Sequence, residues 1–400
     1  MTAAAPRARW SGVFAMALCV FTLIASEFMP VSLLTPMAAD LRVTEGMAGQ
    51  GIAISGALAV AASLCIARLA GRLDRRALLL ALTAAMGLSG AVIALAPNYA
   101  TYLLGRALIG VVVGGFWSLS AATAMRLVPA DQVPRALAVF NGGNALATVV
   151  AAPLGAWLGS VIGWRGVFWC LVPVALVAFA WQWVSLPPMP VQERAAGAGH
   201  VFQLLRRRVV ALGMLGVGAF FMGQFTLFTY VRPFLETAAR VDVAAVTRVL
   251  LVIGVAGFAG TLLVGAVLRR GFYATLAAIP LLMAAIAGAL IAWGSSAAAV
   301  ALLGVWGLVS TAAPVGWWAW VPRTFPHDAE AGGGLMVAMI QLSIALGSTV
   351  GGLLFDHGGY RSTFAASAGM LVAAAFLVFL TSSADAANTA ARTTTPGVLP

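Results

Sequence analysis

The sequence contains no lysine, only three histidines and three cysteines, and charged residues make up just 9% of its 400 positions. Ordinary soluble domains carry about 25% charge, so a water-facing surface of the usual kind is excluded. Without lysine there can be no Gly-x-x-x-x-Gly-Lys-Ser/Thr phosphate loop, and ATP-driven transport by this chain alone is not expected. Cys19, Cys65 and Cys170 lie far apart in apolar stretches, too few and too scattered for a disulfide framework or a metal site. His200, His327 and His357 fall in polar connections, so no histidine relay crosses the apolar stretches. No nucleophile–base pair or cofactor loop is visible, and neither an enzyme nor a bound cofactor is expected.

What the chain has instead is hydrocarbon: 62% of its residues are hydrophobic. A helix crossing a bilayer needs roughly 20 apolar residues. Twelve stretches qualify, at about 12–37, 46–67, 77–96, 101–126, 135–160, 166–186, 209–232, 244–268, 273–293, 298–321, 332–354 and 361–381. The expected fold class is therefore an all-α membrane protein with twelve transmembrane helices. Glycine and proline are frequent, as such helices tolerate. The first stretch is too long for a removed signal peptide and lacks a small-residue cleavage site.

A net charge of +11 could suggest a nucleic-acid partner, but its distribution argues otherwise. All 23 basic residues are arginine. Sixteen fall on the side of the N-terminus (7, 9, 68, 72, 75, 76, 126, 135, 194, 206, 207, 208, 269, 270, 323 and 392), six on the other side (42, 165, 232, 240, 248 and 361), and Arg106 lies within a span. Positive residues mark the cytoplasmic side, so both termini are expected there. The basic patches are topological signals that can meet anionic lipid, and no nucleic acid is implied.

Of the 12 acidic residues, Glu27 alone sits inside a long apolar stretch; the other 11 fall in connections, tails or span ends. An ionisable group at such depth costs about 2.5–3.5 kcal/mol on insertion scales, which makes function the default suspicion. A lone acid in hydrocarbon most naturally carries a proton. The alternatives are a permanently protonated acid bonded to a neighbouring helix, or one that touches substrate.

The longest polar connection, about 187–208, divides the chain into six spans plus six. A repeat supports the division. Gly163-Trp164-Arg165-Gly166-Val167-Phe168 recurs 196 residues later as Gly359-Tyr360-Arg361-Ser362-Thr363-Phe364, and the same offset pairs Gly155 with Gly351. Both copies lie at the junction of the fifth and sixth span of their half, as duplicated transporter halves would place them. The expected organisation is a six-helix half at 1–186, a cytoplasmic linker at 187–208, a second pseudo-symmetric half at 209–381 and a disordered polar tail at 382–400.

In the fourth span Arg106, Gly110, Gly114 and Trp117 recur at i, i+4, i+8 and i+11, on one helix face. The glycines let another backbone approach closely. The arginine must pair or reach water; the plainer reading has it bonding helix carbonyls.

Several stretches carry a family resemblance over nearly the whole chain. They include Glu27-Phe28-Met29-Pro30, Gly114-Gly115-Phe116-Trp117, Ala151-Ala152-Pro153-Leu154-Gly155, Phe228-Thr229-Tyr230-Val231-Arg232-Pro233 and Pro314-Val315-Gly316-Trp317. The chain resembles the major facilitator superfamily, specifically the twelve-span drug:proton antiporter branch, and within it the bacterial exporters of purine ribonucleosides. The span-four motif survives as Arg106-x-x-x-Gly110-x-x-x-Gly114. The span-five motif is degenerate, with Ala152-Pro153 where Gly-Pro is common. The loop after span two departs further: its acid, Asp74, stands three places late, which puts the family's half-to-half charge latch in doubt while leaving Asp74 free to pair locally.

The resemblance implies alternating access in a bacterial inner membrane by a monomer driven by the proton gradient. It also implies proton coupling through Glu27 and Arg106, and a central cavity lined by spans one, four, seven and ten. On those spans and their neighbours the candidate substrate contacts are Trp117, Gln224, Phe228, Trp306, Ser310 and Trp317, with Asn141, Asn144 and Gln341 from spans five and eleven. Aromatic faces suit a flat ring and an amide suits a base edge or ribose hydroxyls, although aromatic stripes are more often packing. With one buried acid and one buried arginine, a neutral polar cargo is easiest to accommodate. Inosine and guanosine fit. Sugars or varied drugs fit the same mechanism, and a passive facilitator remains the rival from another class.

Overall fold

The structure is a computed structural model that describes residues 8–69, 73–129, 132–190, 204–294, 298–325 and 329–393. Arg7, Arg72, Arg194, His200, His327 and positions 394–400 lie outside the described residues, as does the side chain of Asn141. All regular elements among the described residues are helices: Trp10–Leu41, Glu45–Leu69, Arg75–Ala94, Tyr99–Leu127, Val133–Ser185, Arg208–Phe228, Val231–Thr237, Val243–Arg270, Phe272–Trp293, Ala298–Ser310, Ala312–Thr324 and Ala329–Thr393.

Among the described residues, ten apolar helical segments are long enough to cross a membrane, and two of them, Arg135–Ser185 and Gly332–Ala387, are about twice the needed length. Each of the two contains a glycine at positive φ, Gly163 (72°) or Gly359 (67°). The chain reverses there. The Thr363 hydroxyl donates to the Gly351 carbonyl at 3.3 Å, although twelve residues of straight helix would span about 18 Å. Each long segment therefore supplies two crossings, and twelve spans result. The repeated Gly-aromatic-Arg sequence is thus the turn between the fifth and sixth span of each half.

Pairing of the spans repeats as well. Span two crosses span four where a Cβ on Gly110 or Gly114 would strike the Ser55 or Ala59 carbonyl. Span eight crosses span ten in the same manner, with Gly307 against the Ile253 carbonyl and Gly260 against that of Leu308. Small residues let the backbones touch, the usual device where hydrocarbon surrounds the helices. One apolar cluster lies within the first half, around Met16, Met86, Phe116 and Phe140; another, around Phe220, Met283, Trp306 and Trp317, fills the second half and reaches Val31, Ile52 and Ala152 of the first.

One feature differs from the sequence expectation. The polar tail expected from 382 continues as helix to Thr393; its alanines are strong helix formers, and Asp385 accepts a 3.0 Å hydrogen bond from Tyr273 of span nine. Asp74, by contrast, pairs locally, as its displaced position left it free to do. It caps span three through the Arg76 amide at 2.7 Å and takes the Met189 amide at 3.0 Å, all within the first half.

The halves meet unevenly. Among the described residues, five hydrogen bonds cross between them: Gln341 to Glu27, Thr349 to Gln50, Arg232 to Ser32, and Thr44 and Gly46 to Asp356. They run from the middle of the spans to the face opposite the termini, which is therefore the closed face.

Candidate functional site

Span one carries Pro30 and Pro36 inside an otherwise continuous helix. Proline has no N–H, so each leaves the carbonyl four residues earlier without its helical donor. Those carbonyls belong to Ser26 and Ser32, on either side of the Glu27 side chain. In a medium without water such groups must find partners in neighbouring spans.

Arg106 supplies one. Its guanidinium is completely buried and donates to the Ser26 carbonyl at 2.8 Å, the Gly51 carbonyl at 3.0 Å, the Ser55 hydroxyl at 3.0 Å and the Glu27 carbonyl at 3.3 Å. Gly110, one turn along span four, brings the Ser55 backbone within reach. Arg106 makes no ion pair among the described residues. It ties the backbone of spans one and two to span four and fixes the turn on which Glu27 stands.

Glu27 is 4% exposed. Its Oε1 accepts a hydrogen bond from Gln341 Nε2 of span eleven at 3.2 Å, so the one acid deep in a span touches the opposite half. Next to it Phe28 stacks on Phe225 of span seven, with ring centroids 5.9 Å apart and planes at 26°. Phe228 meets Phe225 edge-on at 6.3 Å. An acid, an amide and an aromatic pair thus meet where the two halves join.

Of the other residues singled out from sequence, Gln224 is half-buried with its Oε1 buried and unpaired among the described residues. Trp117 is half-buried, edge-on to Phe116, and Asn144 is half-buried. The stripe of span ten lies elsewhere. Trp306, Ser310 and Trp317 have almost no exposed surface, and they sit within the core of the second half. Ser310 bonds its own helix at the Gly307 carbonyl. Trp317 covers Gly216 of span seven, while Trp320 covers Gly213 and donates to the Tyr273 hydroxyl at 3.3 Å. Glycines on span seven open a groove that indoles fill, so the aromatic periodicity marks packing there. The indole N–H of Trp306 has no partner among the described residues. Sequence reasoning did not single out Phe28 or Arg232; counting four residues back from each proline would have announced that two buried carbonyls needed donors.

A profile of the Major Facilitator Superfamily matches residues 16–336. The chain belongs to that superfamily. It is 68% identical over 94% of its length to the "Transcription regulatory protein OpdE" of Pseudomonas aeruginosa, covering 95% of that protein. It is 42% identical over 93% of its length to the "Purine ribonucleoside efflux pump NepI" of Salmonella typhimurium, covering 94% of it. Among solved structures it superposes on a bacterial homologue of the human lysosomal transporter Spinster, in its inward-facing and unoccupied conformation. The TM-score is 0.76 at 16% identity, over 94% of this chain and 97% of that one. The fold is that of a membrane transporter.

Proposed function

We propose that this chain exports purine ribonucleosides such as inosine and guanosine across the bacterial inner membrane in exchange for protons. The observation that carries the reading is Glu27: a buried acid held across the halves by Gln341, in a chain 42% identical to a purine ribonucleoside efflux pump. An acid at the junction can take a proton when one face is open and release it when the other is, because the carboxyl's contacts change as the halves move. Arg106 serves this exchange by holding the broken turn before Glu27. Phe28, Phe228 and Gln224, all half-buried, offer a flat base an aromatic face and an amide.

The arginine asymmetry supports cytoplasmic termini. The closed face is then the outer one, and the chain stands ready to load cargo from inside.

The test uses purified protein in liposomes, with labelled inosine and an imposed pH gradient. Wild type should accumulate inosine against its gradient; Glu27→Gln should lose that and keep downhill exchange. Uphill movement that survives the substitution moves the proton site elsewhere. No inosine movement by folded protein overturns the cargo and redirects the search to sugars and drugs.

The 68% identity to a protein named for transcriptional regulation favours a second reading of the biological role, with the same membrane chemistry. A carrier that lowers the internal level of a small effector changes gene expression without touching DNA. A regulatory effect that persists in a transport-dead chain excludes this link.

A further inference from the structure

The carbonyl freed by Pro36 has a partner in the other half. Arg232, on the short helix Val231–Thr237 that follows span seven, donates its Nη1 to the Ser32 carbonyl of span one. Its side chain is 6% exposed, and its Nε is held by Glu236 at 2.8 Å. The second oxygen of Glu236 is buried with no partner among the described residues, and the first is given to Arg232.

The internal repeat shows how particular this arrangement is. The offset of 196 that pairs Arg165 with Arg361 also pairs Asp40 with Glu236. In the first half Arg165 pairs with Asp40 and donates to the Ala96 carbonyl, entirely within its own half. In the second half Arg361 is exposed and meets Tyr360. Its corresponding acid has turned to Arg232, and through Arg232 to the opposite half. Leu34, Ala38 and Ala48 of the first half pack with Tyr230 around this contact, all buried.

We propose that Arg232 and the carbonyl exposed by Pro36 form a latch that holds the two halves together at the face opposite the termini, and that opening at that face must break it. A cation on a neutral carbonyl suits the task. While dry, the carbonyl has no other donor among the described residues, and the bond is strong. Once water enters, both groups are hydrated and little is lost. An ion pair spanning the halves would instead set two buried charges against each other, where breaking either side is severe. Arg106 makes the matching contact at Pro30 within one half; Arg232 makes it between halves, where it can be released.

The experiment follows gate opening without any cargo, so it is decided separately from the nucleoside assignment. In a background with Cys19, Cys65 and Cys170 replaced by alanine, Ala48→Cys places a thiol at a fully buried position of the closed face. Its labelling by a polar maleimide is timed in lipid nanodiscs. Arg232→Gln should raise the rate roughly tenfold, equivalent to about 1.4 kcal/mol of gate stability, and Arg232→Lys by much less. Pro36→Ala restores the helical N–H to the Ser32 carbonyl and should speed labelling similarly. The double variant Arg232→Gln/Pro36→Ala should be no faster than the faster single, because both remove one contact. Unchanged rates in both singles, or effects that multiply, overturn the latch. If Arg232→Gln fails to fold, Pro36→Ala, which adds a helical bond, decides the question alone.

Discussion

Arg106→Ala tests whether the buried guanidinium works through the backbone it caps. It makes four hydrogen bonds, at 2.8, 3.0, 3.0 and 3.3 Å. Three of the four acceptors lose little when it goes. The Gly51 and Glu27 carbonyls lie in continuous helix, and the Ser55 hydroxyl also donates to the Ile52 carbonyl at 2.9 Å. The Ser26 carbonyl is different, since Pro30 offers it no N–H. Stranding one buried polar group costs about 1–3 kcal/mol. With the lost packing of a fully buried side chain, a total of roughly 3 kcal/mol is expected, within the range for core truncations.

The capping argument then makes a sharper demand. Pro30→Ala returns a helical donor to Ser26, so in the Arg106→Ala background it should recover about 1–2 kcal/mol. In wild type, where Arg106 already serves the carbonyl, it should gain distinctly less. The four chains are compared by thermal unfolding in detergent at one fixed scan rate, since membrane-protein midpoints depend on rate. Simple additivity of the two substitutions refutes the account. Transport by the double variant separates the two roles of the arginine. If proton-coupled uptake returns with stability, Arg106 is a positioning residue. If stability returns and coupling does not, its charge takes part in proton transfer.

Other expectations follow from single contacts. Gly110→Ala puts a Cβ onto the Ser55 carbonyl and should force spans two and four apart by about 1 Å, enough to break the Arg106 bonds to Gly51 and Ser55. A loss of about 1–3 kcal/mol is expected, with Gly142→Ala, which meets nothing within 4 Å, as the silent control in the same melt. At Gly359, φ is 67° and ψ −169°, a region essentially reserved for glycine, and a Cβ there would meet nothing within 4 Å. Gly359→Ala should thus cost about 1–3 kcal/mol by backbone strain alone; an unshifted melting midpoint contradicts the positive-φ turn. Gln341→Leu removes the donor to Glu27 and should change the pH profile of exchange while downhill movement continues; an identical profile means the amide has no part in proton handling.

The spans, the duplication and the buried acid were legible because each is written along one stretch of chain. Hydropathy gives a crossing, and the turn glycines 163 and 359 repeat their neighbours as well as their conformation. The face of span four was legible too, since Gly110 and Gly114 are small for a reason that depends only on something coming close. What lies opposite a face was not. Trp306, Trp317 and Trp320 share a stripe, but their packing is decided by Gly213 and Gly216 of span seven, which no periodicity in span ten contains. Glu27 and Gln341 are 314 positions apart, and their meeting depends on how the two halves abut. Asp74 was read as free to pair locally, and it does, because the helix start it caps lies beside it in sequence.

Span one explains why the site is built where it is. A helix with complete backbone bonding asks nothing of its neighbours in hydrocarbon, and could slide or turn as a rod. Pro30 and Pro36 make this span depend on two outside donors, and each half provides one. Arg106 holds residues 26 and 27 to the first half at a depth where no water reaches it. Arg232 holds residue 32 from the second half, at the face that must open. The stretch between them carries Phe28, stacked on the second half, and begins at Glu27, bonded to the second half. Releasing Arg232 therefore frees the far end of this stretch while its near end stays fixed, and the strain of opening falls on the Glu27–Gln341 and Phe28–Phe225 contacts. A gate at the surface and an acid at mid-depth are in this way linked through one turn and a half of helix, with two missing N–H groups as its ends.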